Sequence, residues 1–480
     1  MSPVKRAFEA SNHIRPIQPG QRSIFRLDCS NDVIFYAPGY VALVGLPDAD
    51  RFETMLTTPG DGVGPPALAA LRDRLVQKAE TALSARHRWQ TGPFRPECLT
   101  LYLSNQCNLR CSYCYADAGP TASLKLGLNV IQAAARLVAT SCREKNRPFT
   151  TVFHGGGEPT LDQAFARQVL TILDETAQNY ELPAFRYIAT NGVMAANKAK
   201  WLARRFDLVG LSCDGPADIQ NRQRPAGGGG GTSHLVEQTA HILREQGCRF
   251  QVRVTITQNT LSRQAEIVDY LCQQLAPAAI HIEPAYLGGR ASAPGRFEPE
   301  QAFEFVAHFL QARHKARQYD VPLLYVGSRV DTLHGPYCHV FRDVLNLVPG
   351  GVATACFKAV TAAQAGRNGL VIGTWQQEFG CFTVDDRAVG DLRRALSSTS
   401  SACRGCFNRF HCVGECPDRC PRAESDFSQA GHRPGFRCRI QRALAMATLL
   451  ERADRLRASA NATTNRRESD GGYAKGASLI

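Results

Sequence analysis

The chain has 480 residues, 44% of them hydrophobic, which is enough to bury the cores of two or three globular domains. Its formal net charge is +13, but the basic residues are scattered, so the charge indicates a basic surface more than a nucleic-acid site; an acidic peptide partner is the second interpretation. No apolar run is long enough to span a membrane and no segment has the pattern of a secretory signal, so we expect a cytoplasmic protein that does not act at a membrane.

Residues 1–95 are predicted to form a separate N-terminal region. Two apolar runs, 33–37 and 40–44, flank the turn pair Pro38–Gly39 and predict a β-hairpin. Apolar residues at helical spacing predict a helix over 65–86. Such a region could be a peptide-docking module, in which a leader peptide adds a strand to the hairpin edge; the alternative is an extension that only packs against the main domain.

Residues 96–330 alternate between strand and helix patterns. The predicted strands are 99–104, 150–154, 185–189, 207–212, 250–256 and 279–284, and the helical stretches between them include 128–142, 162–178 and 234–246. Six strand–helix units predict an α/β fold with a parallel sheet and right-handed crossovers. Active sites in such folds collect at the carboxyl ends of the strands, so the motifs that follow each strand are candidates for function.

The first of these strands leads into a loop with three cysteines, Cys107, Cys111 and Cys114, spaced as Cys-x3-Cys-x2-Cys. In a cytoplasmic chain with eighteen cysteines, such groups indicate metal ligands more than disulfides. Three thiolates could hold three corners of a [4Fe–4S] cluster, which usually takes four, and leave the fourth iron open to a ligand. A zinc knuckle is the alternative, but zinc sites usually combine two Cys or Cys/His pairs, and no second pair follows nearby.

Together with Tyr113, which directly precedes the third cysteine, this loop resembles the signature of the radical S-adenosylmethionine (SAM) superfamily. The resemblance implies a partial (βα)6 TIM-like barrel in which the open iron binds the amino and carboxylate groups of SAM. It also implies that one electron cleaves SAM to methionine and a 5′-deoxyadenosyl radical, which abstracts hydrogen from an unactivated carbon. Tyr113 then belongs to the cofactor-binding residues.

The second strand is followed by His154-Gly-Gly-Gly-Glu158-Pro159, where glycines allow the backbone to approach a ligand closely. This stretch resembles the Gly-Gly-Glu-Pro motif of the same superfamily, which implies that Gly156, Gly157 and Glu158 hold the amino group of SAM. The alternative is a tight turn before the next helix, and the position one strand after the cysteine loop favours the cofactor site.

Two later strands carry further matches to the superfamily. Ser212 ends one strand, and the resemblance places it near the ribose or carboxylate of SAM; an ordinary loop is the alternative. Arg253 lies between two valines in the next strand, and the resemblance pairs it with the SAM carboxylate, which a guanidinium binds well. The glycine-rich stretch Ala226–Gly231 lacks the Gly-Lys-Ser/Thr ending of a phosphate loop and is predicted to be a flexible loop without a nucleotide site.

Beyond residue 330 the alternation stops and a second cysteine system begins. Its pattern is similar to that of the SPASM domain, with ligands at Cys338, Cys356, Cys403, Cys406, Cys412, Cys416 and Cys438. Thiolates in this number can hold two further clusters. The resemblance implies an outer auxiliary cluster on Cys403, Cys406, Cys412 and Cys438, and an inner one on Cys338, Cys356 and Cys416. Cys381, Cys420 or an open iron that binds the substrate are the alternatives for the fourth inner ligand.

One position departs from the pattern of the sulfatase-maturating relatives. These carry an aspartate base directly after the cysteine that aligns with Cys356, whereas this chain has Phe357, which argues against formylglycine formation. The predicted domains are thus the N-terminal region at 1–95, a radical SAM core at 96–330 and a SPASM auxiliary cluster domain at 331–450. Residues 451–480 have few apolar side chains and are predicted to be a disordered tail.

The resemblance implies a radical SAM oxidoreductase of the SPASM type, a maturase that modifies a ribosomally made peptide or protein. A thioether or carbon–carbon cross-link is the expected product, with epimerisation or another peptide oxidation as alternatives. A radical SAM enzyme for a small molecule and a non-catalytic iron–sulfur scaffold are the rival functions. The expected cofactors are SAM and three [4Fe–4S] clusters, and the expected partners are a precursor peptide and an electron donor such as flavodoxin or ferredoxin.

Overall fold

The computed structural model describes residues 2–17, 23–58, 64–119, 122–292, 296–330, 332–397, 401–414, 416 and 435–469. The strands in these residues are β1 (Arg15–Pro16), β2 (Phe25–Asp28), β3 (Asp32–Ala37), β4 (Tyr40–Gly45), β5 (Cys98–Leu101), β6 (Phe149–Phe153), β7 (Ala184–Thr190), β8 (Leu208–Ser212), β9 (Phe250–Ile256), β10 (Ile280–Pro284), β11 (Leu323–Leu324), β12 (Val344–Val348), β13 (Val352–Thr354), β14 (Val371–Gln376) and β15 (Cys381–Val384).

The α-helices in the same residues are α1 (Pro3–His13), α2 (Leu46–Thr57), α3 (Pro66–Thr91), α4 (Leu128–Glu144), α5 (Gln163–Asn179), α6 (Ala196–Ala203), α7 (Ala217–Gln223), α8 (Ser233–Glu245), α9 (Gln264–Tyr270), α10 (Ala302–Arg317), α11 (Ala362–Arg367), α12 (Asp386–Ser397), α13 (Ser401–Arg404) and α14 (Phe436–Ser469). The chain divides into two compact units. The larger unit is Thr91–Tyr325 with Cys338–Ala395, and the smaller unit is Met1–Gln90 with Val326–Tyr337 and Leu396–Ile480. Among the described helices, none combines the length and the apolar composition that a membrane span requires.

The larger unit is built on an eleven-stranded sheet in the order β11-β10-β9-β8-β7-β6-β5-β12-β13-β14-β15. The strands from β5 to β10 are parallel, as the sequence predicted, and each lies within a few residues of its predicted position. The α/β fold class with a parallel-strand sheet is therefore confirmed. Burial alternates along β6 and β9, because one face of the sheet is covered by helices; on β9 the residues from Phe250 to Ile256 alternate between buried and half-buried. The half-buried side chains of β9, which include that of Arg253, lie on the opposite face of the sheet, which we call the inner face.

Five strands of this sheet were not predicted from the sequence: β11 at one edge, and β12, β13, β14 and β15 on the other side. Strand β12 pairs in parallel with β5, and β13, β14 and β15 follow it as an antiparallel meander. The sheet therefore continues past the expected boundary at residue 330, and residues 338–395 pack with the barrel strands. The sequence pattern gave no sign of this, because pairing between β5 and β12 joins segments more than two hundred residues apart, and periodicity reports only local structure.

The smaller unit contains a four-stranded antiparallel sheet in the order β1-β2-β3-β4. The predicted hairpin is present as β3 and β4, and Gly39 takes the positive φ of 85° that its turn requires. The core lies under this sheet, where the ring of Phe35 meets that of Phe52 edge to face at 4.9 Å. The predicted helix is α3, which contributes Leu68 and Leu75 to the same core.

Helix α14 differs from the prediction of a disordered tail over 451–480. It continues to Ser469 and packs along α1. Its residues Leu450 and Ala453 are buried. Arg457 also forms an ion pair with Asp32 at 2.6 Å. These contacts come from the N-terminal residues of the chain, so the local composition of the segment could not predict them. Residues 470–480 lie outside the described residues.

Candidate functional site

The three predicted ligands of the first cluster lie in one loop, residues 106–115, at the carboxyl end of β5; we call it the cysteine loop. Cys111 is buried, Cys107 and Cys114 are half-buried, and all three belong to one packed cluster of side chains that includes Leu109. Burial raises the pKa of Cys107 to about 11, and the negative charges of Glu158 and the other two thiols add to this effect. No three His, Cys, Asp or Glu side chains among the described residues are arranged to hold a single metal ion. In a cluster the thiolates bind different irons, so the relevant test is whether the loop presents its thiols together, and it does.

A short segment at the end of α7, residues 223–227, runs alongside the cysteine loop; we call it the strap. Three backbone hydrogen bonds join the two segments: Ser112 N to Gln223 O at 2.9 Å, Arg110 N to Pro225 O at 2.8 Å, and Gly227 N to Asn108 O at 2.8 Å. The strap overlaps the start of the glycine-rich stretch that the sequence predicted to be a flexible loop. The structure thus gives the first residues of that stretch a role in fixing the cysteine loop, which periodicity alone could not show.

Arg290 holds the same loop from its other side. Its backbone N–H donates to the carbonyl of Cys114 and its Nε donates to the carbonyl of Cys111, both at 3.0 Å. Its guanidinium also pairs with Asp117 at 2.6 Å. Each of these two carbonyls also accepts a backbone N–H from a nearby residue of the same segment, so Arg290 adds a second donor to both and helps to fix the conformation of the loop. The sequence analysis missed this residue, because it lies far along the chain in no recognised motif.

The glycine motif after β6 lies directly against the cysteine loop. A Cβ atom on Gly157 would be 2.0 Å from the carbonyl oxygen of Gln106, so this approach requires a glycine. The neighbouring Glu158 N–H donates to the same carbonyl at 2.8 Å. The predicted SAM motif and the predicted cluster ligands are therefore brought together in the fold.

The carboxylate of Glu158 is buried, with 4% of its surface exposed, and it accepts four hydrogen bonds. Oε1 accepts from the Thr160 N–H (3.1 Å), the Thr160 hydroxyl (2.7 Å) and the Thr190 hydroxyl (2.8 Å), and Oε2 accepts from the Asn191 N–H (2.8 Å). Glu158 thus joins the ends of β6 and β7. Since a carboxylate offers about four acceptor positions, two on each oxygen, only Oε2 retains room for a further donor.

Asn191 connects this network to the cysteine loop. Its Nδ2 donates to Oδ1 of Asn108 at 2.8 Å and lies 3.8 Å from the sulfur of Cys107. Asn191 directly follows β7, at the carboxyl end of a parallel strand, which is where active-site residues collect in such folds. Its position at a strand end was the signal that sequence reasoning could have used.

The inner face of the sheet carries Ser212 and Arg253 as register partners on β8 and β9, and His281 pairs with Arg253 on β10. Burial lowers the pKa of the Arg253 guanidinium, but the Tyr187 hydroxyl and the Glu283 carboxylate more than offset this effect and raise it. Arg253 is therefore a permanent cation on the inner face, and it is suited to bind a carboxylate of a ligand.

His154 follows β6 and belongs to the same inner face. Burial, followed by the positive charge of Arg253, lowers its pKa from 6.5 to about 4. Its Nδ1 lies 3.3 Å from the carbonyl of Gly155, and its ring lies 5.4 Å from that of Tyr102. His154 is therefore uncharged near neutral pH, and its interaction with a ligand would be a neutral hydrogen bond.

Three half-buried aromatic rings lie beside the cysteine loop: Tyr115, Tyr286 and Phe357. Phe357 meets Tyr115 at 5.6 Å and Tyr286 at 5.1 Å, both edge to face. The hydroxyl of Tyr102 donates to the carbonyl of Phe357 at 3.1 Å, which fixes the backbone there. Phe357, the position at which the resemblance leads one to expect an aspartate, thus belongs to an aromatic surface formed by Tyr115, Tyr286 and Phe357, which we call the apolar wall.

The four predicted outer ligands lie together in the smaller unit. Cys403, Cys406, Cys412 and Cys438 line one cavity with Arg86, Arg409 and Arg442. Burial raises the pKa of Cys406 to about 11 and that of Cys438 to about 12, while the charge of Arg442 lowers both. Burial also lowers the pKa of Arg86, and the neighbouring Cys412 and Cys403 would raise it if they were ionised.

This cavity fits an anionic group bound by thiolates. A buried guanidinium and a buried thiolate carry opposite charges, so each offsets part of the free-energy cost of burying the other. A cluster with four thiolates also carries a net negative charge. The Nε of Arg442 is buried without a hydrogen-bond partner in the part of the chain that the structure describes. Cys403, Cys406, Cys412 and Cys438 would hold such a cluster, and the arginines would balance its charge.

The predicted inner ligands are divided between the two units. Cys338 and Cys356 belong to the larger unit, with Cys356 two residues after the end of β13, and Cys416 belongs to the smaller one. Their grouping stays a prediction. Of the two candidates for a fourth ligand, Cys381 is exposed at the start of the outermost strand β15, and Cys420 lies outside the described residues.

Residues 101–271 match the family model described as the Radical SAM superfamily. A cysteine-type anaerobic sulfatase-maturating enzyme of Clostridium perfringens (strain ATCC 13124) is 29% identical over 170 residues, which are 35% of this chain and 46% of that protein. The chain thus spans about half the length of this curated relative.

Two solved structures show the same fold. The structure described as native anSMEcpe with bound AdoMet has a TM-score of 0.59 at 18% identity, and the match covers 75% of this chain and all of that one (100%). Streptococcus suis SuiB bound to precursor peptide SuiA has a TM-score of 0.50 at 13% identity, and the match covers 80% of this chain and 92% of that one.

Proposed function

We propose, on the premise that residues 101–271 are a radical SAM domain, that this chain is a radical SAM enzyme of the SPASM type that modifies a peptide or protein. The observation that carries the proposal is the cysteine loop, held against the glycine motif by the close approach of Gly157 to Gln106. When bound, a [4Fe–4S] cluster supplies the single electron that cleaves SAM to methionine and a 5′-deoxyadenosyl radical.

The chain's own residues would hold the two cofactors. Cys107, Cys111 and Cys114, which belong to one packed cluster of side chains, would bind three irons. Gly156 and Gly157 would allow close approach of the SAM amino group, and Oε2 of Glu158 retains the acceptor position that an ammonium needs.

The remaining contacts to SAM would come from later strands. Arg253 would pair with the SAM carboxylate, since it is a permanent cation on the inner face. Ser212, its register partner on β8, would contact the ribose or carboxylate. Tyr113 would contribute its ring, because its hydroxyl already donates to Asp214 at 2.6 Å.

The reaction that fits the apolar wall is cross-linking, which would form a thioether or a carbon–carbon bond. A proton acceptor directly after Cys356 would have to lie among the rings of Tyr115 and Tyr286, and this chain has Phe357 there. Formylglycine formation is therefore not proposed. Epimerisation and another peptide oxidation remain the alternatives, and the auxiliary clusters would accept the electron that the substrate leaves behind.

A precursor peptide or protein is the proposed substrate, with a flavodoxin or ferredoxin as electron donor in the cytoplasm. The N-terminal sheet could serve as a docking module, since β4 is the outer strand of that sheet. An inner cluster on Cys338, Cys356 and Cys416 and an outer one on Cys403, Cys406, Cys412 and Cys438 are part of the same proposal.

Anaerobic reconstitution with iron and sulfide, followed by SAM and dithionite, tests the proposal. We expect 5′-deoxyadenosine to form, and to form faster in the presence of a peptide encoded beside this chain, with a mass change in that peptide. Formation of 5′-deoxyadenosine without any change in a peptide would favour a small-molecule substrate. Failure to form 5′-deoxyadenosine from a protein that carries its clusters would favour a non-catalytic scaffold.

A further inference from the structure

A buried arginine in the strap faces the cysteine loop. Arg224 is only 8% exposed, and one of its terminal nitrogens donates to the hydroxyl of Tyr113. Its Nε is buried and has no hydrogen-bond partner among the residues that the structure describes. A guanidinium that has left water usually binds an anion, so its remaining donor indicates one nearby.

The anion that best fits is the first cluster. Arg224 donates to the hydroxyl of Tyr113, which lies between Cys111 and Cys114, two of the three proposed ligands of that cluster. Arg224 is held at this place by the strap, because the backbone on either side of it bonds to Arg110 and Ser112. The position of the cation is therefore fixed by the same hydrogen bonds that fix the cysteine loop.

Asp214 carries the opposite charge on the far side of Tyr113. Its carboxylate accepts hydrogen bonds from the Tyr113 hydroxyl (2.6 Å), the Gln223 side chain (3.0 Å) and the Thr255 N–H (3.0 Å). Burial raises the pKa of Asp214, and the charge of Arg224 and these three donors oppose that shift.

We propose that Arg224 is a positioning residue that holds Tyr113 of the cysteine loop in place and makes the first cluster easier to reduce, and that Asp214 opposes the effect on reduction. This inference rests on the proposed function only for the presence of that cluster. One electron added to a cluster makes it more negative by one charge. A buried cation stabilises the reduced form more than the oxidised form, and a buried anion does the reverse.

Redox titration followed by electron paramagnetic resonance tests the proposal on the reconstituted full chain. The cluster in question is identified as the one whose signal changes when SAM is added. We expect Arg224→Gln to move its midpoint potential to a more negative value and Asp214→Asn to move it to a more positive value. Arg224→Lys should keep a potential close to that of the wild type, because it keeps the charge.

Controls separate charge from structure. Arg222→Gln removes an equal charge two residues away from an exposed side chain, and it should leave the potential unchanged, since water screens that charge. Tyr113→Phe breaks the hydrogen bonds and keeps both charges, so it should shift the potential less than Arg224→Gln. Equal shifts in Arg224→Gln and Arg222→Gln, or shifts of the same sign in Arg224→Gln and Asp214→Asn, would overturn the proposal.

Two further outcomes are distinguishable. If Arg224→Gln does not take up iron, Asp214→Asn alone decides. A midpoint potential equal to that of the wild type, or more negative, would then overturn the inference. If the wild-type chain binds no cluster whose signal responds to SAM, the proposed function fails before this inference is reached.

Discussion

The rings of Tyr115 and Phe357 meet edge to face with their centroids 5.6 Å apart, and each residue directly follows a cysteine assigned to a different cluster. Tyr115 follows Cys114 in the cysteine loop, and Phe357 follows Cys356 after β13. The apolar wall is thus fixed from both sides by the segments that would carry the metal. A substrate that reaches this wall would meet aromatic surface rather than a carboxylate.

Replacing Phe357 with aspartate should destabilise the fold and should not create formylglycine activity. A carboxylate there would lose contact with water among the rings of Tyr115 and Tyr286, at a cost of roughly 1–3 kcal/mol in the free energy of unfolding. Urea unfolding of the apoprotein measures this loss. Phe357→Leu is the matched control and should cost less than about 1.5 kcal/mol; equal stability of the aspartate and leucine variants would contradict the account.

Replacing Gly157 with alanine should abolish binding of the first cluster. The new Cβ would be 2.0 Å from the carbonyl oxygen of Gln106, so the cysteine loop would have to move. Iron analysis after reconstitution should show a loss of about four irons per chain. Gly228→Ala is the control, because nothing lies within 4 Å of its Cβ position, and it should keep its full iron content.

Replacing Glu158 with glutamine should weaken the junction between β6 and β7. Four donors point at this carboxylate, and a side-chain amide would present N–H groups to some of them. A loss of about 1–3 kcal/mol in the free energy of unfolding is expected. Glu175→Gln, at an exposed position on α5, should change this free energy by less than about 0.5 kcal/mol. A neutral outcome for Glu158→Gln would mean that the buried network contributes little.

The free energy of unfolding should decrease as the pH is lowered from 6.5 to about 4, because of His154. Its pKa is lowered from 6.5 to about 4 in the fold, so in this range the unfolded chain binds more protons than the folded chain. The free energy of unfolding therefore decreases as the pH falls through that window. Urea unfolding at a series of pH values should show a shallower decrease for His154→Gln than for the wild type, whereas His234→Gln, at an exposed position on α8, should follow the wild type.

Local patterns in the sequence predicted the six parallel strands, the hairpin at Gly39 and both cysteine systems. These features depend on residues that are close together in the chain. Periodicity does not report pairings over long sequence distances. Such pairings place strand β12, the strap against the cysteine loop, and the hydrogen bonds from Arg290 to that loop. Helix α14 was missed for a related reason, since its stability comes from packing against α1 and not from its own composition.

The candidate site shows the same division. Cys107, Gly157 and Arg253 could be predicted as site residues because each lies in a short local stretch that resembles a known family, and their roles stay predictions. Asn191 and Arg224 were not assigned roles, because their contacts with the cysteine loop appear only when distant segments are brought together.

The most direct test of the central claim is iron content and SAM cleavage in the chain with Cys107, Cys111 and Cys114 all replaced by alanine. After anaerobic reconstitution, we expect this variant to lose about four irons, to form no 5′-deoxyadenosine, and to keep the iron bound by the C-terminal cysteines. An unchanged iron content, or continued formation of 5′-deoxyadenosine, would contradict the assignment of these three thiols to the cluster that binds SAM.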